Sequence, residues 1–339
     1  MSKSLCLWGA ALALPILTPP SPELTLALAL EDGAQLTTSL ERVLTLELLG
    51  TELTMVFDGE EEQGEGPEIE MSMVERETIV FSDTYSAVDD GRAGRIERSF
   101  SEIASLSTQN IVNDTGDEFD EETPGTSELE GVAVVFVWDE DDEEYQASFS
   151  EAEEDLDEDL LAGLQAVADF SWYLPPADTE EGDTWEIDLD AFRHTASLSG
   201  NLGVLREDED EPDDDFGVQF DDNLEGEIMG EFTGLREAEG LSLAVLQITA
   251  ELSTTVYQSE ELDDEEGDGE SEEQYEFSFE LEGELLWNVA AGHAHAFRFG
   301  GDCSLILTAQ QSYRGGGHEI TITTVRDFEG RIDYEITVE

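Results

Sequence analysis

Lysine is almost missing from this sequence: of 339 residues one is lysine, Lys3, and every other cation is an arginine or a histidine. Basic side chains number 13 against 86 acidic ones, for a formal net charge of −73. This shortage excludes partners that must be held by cations, because binding phosphates means displacing their condensed counterions. Nucleic acid and anionic membrane surfaces are therefore disfavoured and not expected as partners; cations, a cationic partner or an apolar ligand remain. Cysteine is as scarce, with only Cys6 and Cys303. Once an N-terminal leader is removed Cys303 stands alone, no internal disulfide forms, and the domain must be held by its core. Cys303 opens the apolar run Cys303-Ser-Leu-Ile-Leu307, which fits a buried, inert thiol. Catalytic signatures are absent too: there is no Gly-x-Ser-x-Gly elbow, no His-Glu-x-x-His and no phosphate-binding glycine loop. Carboxylates are so many that no pair can be nominated for glycoside hydrolysis, and the chain reads as non-enzymatic.

What is present begins with a leader. Residues 1–29 hold one positive charge, an apolar run from Leu5 to Leu17, and Ala27-Leu28-Ala29 in the small-x-small form of a cleavage site. The run is shorter than the ~20 residues that span a bilayer. It predicts a secretory signal peptide cut near Ala29, with a retained anchor as the alternative, and a protein exported to the periplasm, cell envelope or medium.

Beyond the leader, apolar and polar residues alternate in many short runs, the period of strands with one buried face. In Tyr275-Glu-Phe-Ser-Phe-Glu-Leu-Glu-Gly283, Tyr275, Phe277, Phe279 and Leu281 share one face and the carboxylates the other. A slip of one residue would bury the acids, so register is well specified. Acid concentrates at 58–62, 117–122, 139–144, 151–159, 207–215 and 260–273, and these runs read as solvated loops between strands. One segment departs from the rhythm. In Leu156–Phe170 the apolar residues Leu156, Leu160, Leu161, Leu164, Val167 and Ala168 have helical spacing, and Asp155, Asp157, Glu158 and Asp159 crowd the start, where acid suits the helix dipole. It predicts an amphipathic helix. Pro175 and Pro176 then force an extended exit, Gly182-Asp183 supplies a turn, and Trp185 anchors the next strand.

The expected fold is mainly β, antiparallel, with sheets that curve into half-barrels and one central amphipathic helix. A β-rich half over 30–155 is joined through the helix and connector at 156–185 to a second half over 186–339 that carries long acidic loops.

The connector carries a resemblance. A helix, a Leu-Pro and then Gly182-Asp-Thr-Trp185 resemble the "Leu-Pro … Val-Gly-Asp-Ser/Thr-Trp" landmark of a family of secreted proteins of unknown function from planctomycete-type bacteria. Ser82-Asp-Thr-Tyr85 with Arg98-Ser-Phe100, Leu129–Trp138, Leu224–Gly240 and Leu281–His295 are similar to further portions of that family, so the likeness covers most of the mature chain. It departs at Thr179-Glu180-Glu181, where the family has hydrophobic residues. The resemblance implies export and lends no activity, since none is established for that family.

Four candidate chemistries remain. His293 and His295, two apart on a strand, share a face and could chelate zinc or copper, completed by His318 or His194; the bland reading is an exposed pair beside a glycine turn. The run Asp263–Glu273 imitates a calcium loop, but aligning Asp264, Glu266, Asp268 and Gly269 puts Tyr275 where the bidentate glutamate belongs. No cofactor is expected beyond loosely held calcium or another divalent cation. Gly315-Gly-Gly317 reads as a hairpin turn. Trp138, Trp172, Trp185 and Trp287 line either a groove or the core. The acidity itself is either solvent adaptation, with repulsion screened within ~3 Å at 1 M salt, or a binding surface that works in dilute medium where screening reaches ~8 Å. The reading is an exported, non-enzymatic binding or structural module of the periplasm or cell envelope. A carrier for an apolar or lipid-like ligand in a sheet-enclosed cavity is the alternative, and a secreted hydrolase comes third.

Overall fold

Runs that alternate for twenty residues or more need neighbours along their whole length, and here they find them in each other. The structure is a computed structural model that describes residues 26–339 except 67–68, 90, 114, 151–155, 207–213, 265–266 and 316–317. Residues 1–25 of the predicted leader, Asp155 of the predicted helix and Glu266 of the calcium-like run lie outside the described residues.

The strands in chain order are β1 (Gln35–Phe57), β2 (Glu60–Glu65), β3 (Glu70–Asp89), β4 (Arg92–Val112), β5 (Glu118–Thr126), β6 (Ala133–Asp139) and β7 (Glu144–Phe149), followed by β8 (Thr184–Ile187), β9 (Leu205–Arg206), β10 (Glu225–Ala238), β11 (Leu241–Asp264), β12 (Gly267–Asn288), β13 (His293–Gly315) and β14 (His318–Val338). The helices are α1 (Asp190–Ala196) and α2 (Asp214–Asp222). All strands join one antiparallel 14-stranded sheet in the order β7-β6-β4-β3-β1-β14-β13-β12-β11-β10-β8, with β2, β5 and β9 pairing off that path. The order has two ends, so the sheet is open. The first seven strands and the last five long ones meet where β1 pairs with β14, from Thr38 opposite Val338 to Phe57 opposite Ile320. One core draws on both.

At ~3.3 Å per residue the 23-residue β1 and β13 are roughly 75 Å long. The two ends of the sheet differ. The basal end carries the β12–β13 turn and the start of β1; there one face, here the inner face, is buried, with Phe81, Leu246, Leu285, Phe297 and Ile336 fully enclosed. The apical end carries the β1–β2, β11–β12 and β13–β14 hairpins, and Met55 and Phe57 on the same face are 38% and 46% exposed. Glycines lie between the two ends. A Cβ at Gly301 would collide with the carbonyl of Glu280, and one at Gly330 with that of Thr45, so only glycine lets neighbouring backbones come this close.

Residues 156–204 cover the basal inner face, but the predicted helix over 156–170 does not form. A single 3-10 turn, Glu158–Leu161, ends at Ala162 in extended conformation, and Gly163 has φ +76°. Beyond it Leu164 bridges to Gly200 and the Gln165 N–H donates to the Ser199 carbonyl at 2.8 Å. The cause lies beneath. Arg98, fully buried, donates through Nη1 to the Gln165 carbonyl at 2.8 Å and through Nη2 to the Ala166 carbonyl at 2.9 Å. A helix would tie up those carbonyls internally and leave a buried guanidinium short of acceptors, a cost that outweighs local propensity. The apolar residues that imitated a helical stripe still pack: Ala166 and Phe170 are buried, and Leu160, Leu161 and Leu164 rest against the core.

The connector forms as its residues predict. Leu174 is extended ahead of the prolines, Gly182 has φ +93°, and the Asp183 N–H closes a turn on the Glu180 carbonyl at 3.0 Å. Trp185 is buried opposite Gly230, where a Cβ would strike its ring.

The acidic runs are less loop-like than their composition implies. Glu60–Glu62 lie in β2, Glu118–Glu122 in β5, and residues 260–264 and 267–273 lie in β11 and β12, with Asp264 opposite Gly267. Among the described residues of these runs, 139–144 is mainly a turn. Acid is tolerated because β2 and β5 are edge strands, where charge also discourages pairing with another chain.

Candidate functional site

The alternating pattern puts a polar residue on the outer face for each apolar one on the inner face, and strand register decides which polar residues become neighbours. Across five strands it aligns acids. Glu227 on β10 faces Glu251 on β11, which faces Glu280 on β12, which faces Asp302 on β13, which faces Arg331 on β14. Neighbouring strands lie ~4.8 Å apart, so four carboxylates form a row roughly 15 Å long. Like charges directly opposite one another destabilise a sheet. The row lies in a groove of about 430 Å³ that Met229, Thr249, Glu282 and the Gly300-Gly301 backbone complete.

Arg331 ends the row. Its Nε and Nη2 donate to the two carboxylate oxygens of Asp333 at 2.8 and 2.7 Å. The guanidinium pKa is raised, first by that bond and further by the fields of Asp302 and Glu282. The groove therefore holds one neutralised cation beside five carboxylates, the four of the row and Glu282, and an arriving cationic group meets a negative floor.

The residues singled out from sequence fall elsewhere. His293 and His295 stand at the basal start of β13, half-buried. His295 occupies a register shift, between Ala294 opposite Trp287 and Ala296 opposite Leu286, so simple i, i+2 alternation fails there. His293 Nδ1 donates to the Ala294 carbonyl at 2.6 Å. His318 cannot join them: it faces Gly315 at the other end of the same long strand and pairs with Asp58 at 2.7 Å. His194 lies on α1, bonded to Gln165 at 2.8 Å and stacked on Trp172. Among the described residues no three potential metal ligands come together. Of the calcium-like run, the described residues belong to paired strand ends, with Asp263 opposite Asp268.

Of the tryptophans, Trp287 and Trp185 belong to the core, Trp138 lies under the Arg92 guanidinium at 4.1 Å, and Trp172 is 46% exposed. None lines the groove. Cys303 is buried, and burial together with Asp302 pushes its thiol up to about 11. Sequence reasoning missed the groove, because nothing in any one strand marks its outward glutamate; only the register between strands does.

No protein-family model and no curated protein sequence matches the chain. Among solved structures, a loop-L8 deletion mutant of OmpT, an outer membrane protein of Vibrio cholerae, aligns at 11% identity over 88% of this chain and all of its own, with a TM-score of 0.15. In-vitro folded OmpT in its trimer form aligns at 12% identity, again over 88% and 100%, with a TM-score of 0.14. Overlap this slight carries no argument about fold, location or activity. Among the described residues no helix is long and apolar enough to cross a membrane.

Proposed function

We propose that this protein is a non-enzymatic binding module, exported to the periplasm or cell envelope, whose outer-face groove takes cationic groups. The carrying observation is the in-register row Glu227, Glu251, Glu280 and Asp302. Such a row weakens the sheet when empty, and it is relieved when positive charge lies across it. The leader at residues 1–29 and the resemblance to secreted proteins support export.

Spermine titrated calorimetrically at fixed ionic strength tests this. The double variant Glu280→Gln/Asp302→Asn is compared with Glu118→Gln/Glu122→Gln, which removes the same charge from an edge strand. The groove variant should bind about tenfold more weakly, the edge variant within about twofold, as expected of exposed charge acting only through the general field. The groove variant should also be slightly more stable than the parent. Equal weakening in the two variants would reduce the groove to diffuse counterion attraction and sink the proposal.

A further inference from the structure

Arg326 lies on the inner face of β14, opposite Thr51 of β1 on one side and Leu307 of β13 on the other. It is half-buried, and among the described residues it makes no hydrogen bond, ion pair or ring contact. In a chain with 86 acidic side chains an unanswered guanidinium needs a reason. The inner-face carboxylates on β3 and β12 are already engaged, Glu75 with Arg206 at 3.0 Å, Glu77 with Arg42 at 3.2 Å, and Glu273 with the Tyr275 hydroxyl, while Glu62 and Glu60 of β2 share the face farther toward the tip, opposite Met55 and Phe57. A second unsatisfied group stands beside Arg326, for among the described residues the buried Thr51 hydroxyl has no partner. Two unanswered polar groups side by side on a largely apolar face mark a place where an acceptor belongs.

What lies apical of Arg326 sets the rest of the ligand. Leu53, Met55 and Phe57 on β1 pair with Thr324, Ile322 and Ile320 on β14, with Tyr313 beyond Ile320 on β13. None of these residues belongs to the core or packs against it. From Arg326 to Ile320 the strand advances six residues, ~20 Å at ~3.3 Å each, the reach of a long acyl chain. The combination of one cation, a neighbouring hydroxyl and an open apolar track matches an amphiphile with a single anionic head.

We propose that the apical inner face binds a long-chain fatty acid, its carboxylate at Arg326 beside Thr51 and its chain along Met55, Ile322 and Phe57. The site is separate from the outer-face groove and does not depend on it. Charge complementarity selects the head, since Arg326 is a cation on this face that no carboxylate answers among the described residues. Unpaired apolar surface continuous with the core face receives the tail.

A fluorescent long-chain fatty acid titrated into the full exported chain tests the proposal, competed with unlabelled fatty acid, its methyl ester, acetate, and zwitterionic phospholipid vesicles. Saturable binding is expected, displaced by the free acid and at least about tenfold less well by the ester, since the ester cannot form the charge-assisted bond. Arg326→Gln should weaken binding by about tenfold with the ester's discrimination lost, while Arg298→Gln, exposed on the outer face and bonded to Glu335, should stay within about twofold. Met55→Gln, at a position exposed enough to leave folding intact, should also weaken it, by about fivefold. Absence of saturable binding, unchanged affinity in Arg326→Gln, or binding to vesicles alone would each overturn the proposal. Failure here leaves the spermine result untouched, and the reverse holds.

Discussion

Arg98 and Arg326 stand on the same face of the same sheet and live opposite lives. Arg98, at the basal end, is completely enclosed, and its donors reach both oxygens of Asp83 at 2.7 Å, two backbone carbonyls and the Ser199 hydroxyl at 3.0 Å. The rings of Phe81 and Phe136 lie within 4.2 and 5.4 Å of its guanidinium carbon. Arg326, at the apical end, has none of this among the described residues. The difference is cover. Residues 156–204 lie over the basal face and bring carbonyls to Arg98, whereas the apical ends of the same strands extend beyond that cover. An enclosed arginine with every donor answered builds structure; an open one with none answered is available for a ligand.

The sharpest way to break that contrast is to remove the basal arginine. Arg98→Leu strands Asp83 as an uncompensated buried carboxylate and releases the 165–166 segment, so unfolding should become easier by about 3–5 kcal/mol. Urea denaturation measures it, and the double variant Arg98→Leu/Asp83→Leu should recover part of the loss. A smaller loss than ~1 kcal/mol in the single variant would show that the latch is not holding the cover. Truncating aromatics sharpens the same comparison. Phe297→Ala, enclosed against Phe170, Tyr173 and Phe299, should cost about 3–5 kcal/mol, and Phe57→Ala at the apical tip under ~1 kcal/mol.

A weaker effect should appear with alkali. Burial raises the pKa of Tyr85, Tyr334 and the Cys303 thiol, all of them basal. Each is neutral when protonated, and the fold favours that form. Their contribution is therefore fully present below the unfolded values of 9.0 for the thiol and 10.0 for the phenols, and it is lost as pH rises through the higher folded values. Urea midpoints should hold from neutral pH to about 9 and fall beyond it. A midpoint that stays level through pH 11 would mean these groups are more hydrated than their burial indicates.

The strands were legible because alternation over four residues already fixes which face is buried, as Phe279 and Leu281 show, both enclosed as their pattern requires. The connector was legible because proline and glycine act locally; the Gly182-Asp183 turn needs no distant partner. The helix over 156–170 was misread because its backbone conformation is set by Arg98, whose position on β4 no window of that segment contains. Acid was assigned to loops on composition, while strand edges accept it equally well. Neither candidate site shows in any single segment. Glu251, Glu280 and Asp302 become neighbours through pairing across strands, and Arg326 sits in an ordinary Thr-Val-Arg-Asp run.

Hydrogen exchange along β13, followed by mass spectrometry, tests most directly the claim that one sheet is core at one end and open at the other. Both ends carry the same ladder of backbone bonds to β12 and β14, so any difference reports the cover and not the pairing. The account predicts that amides from Phe297 to Leu305 exchange only with global unfolding, while those from Ile306 to Ser312 exchange orders of magnitude faster by local opening. Uniform protection along the strand would contradict it.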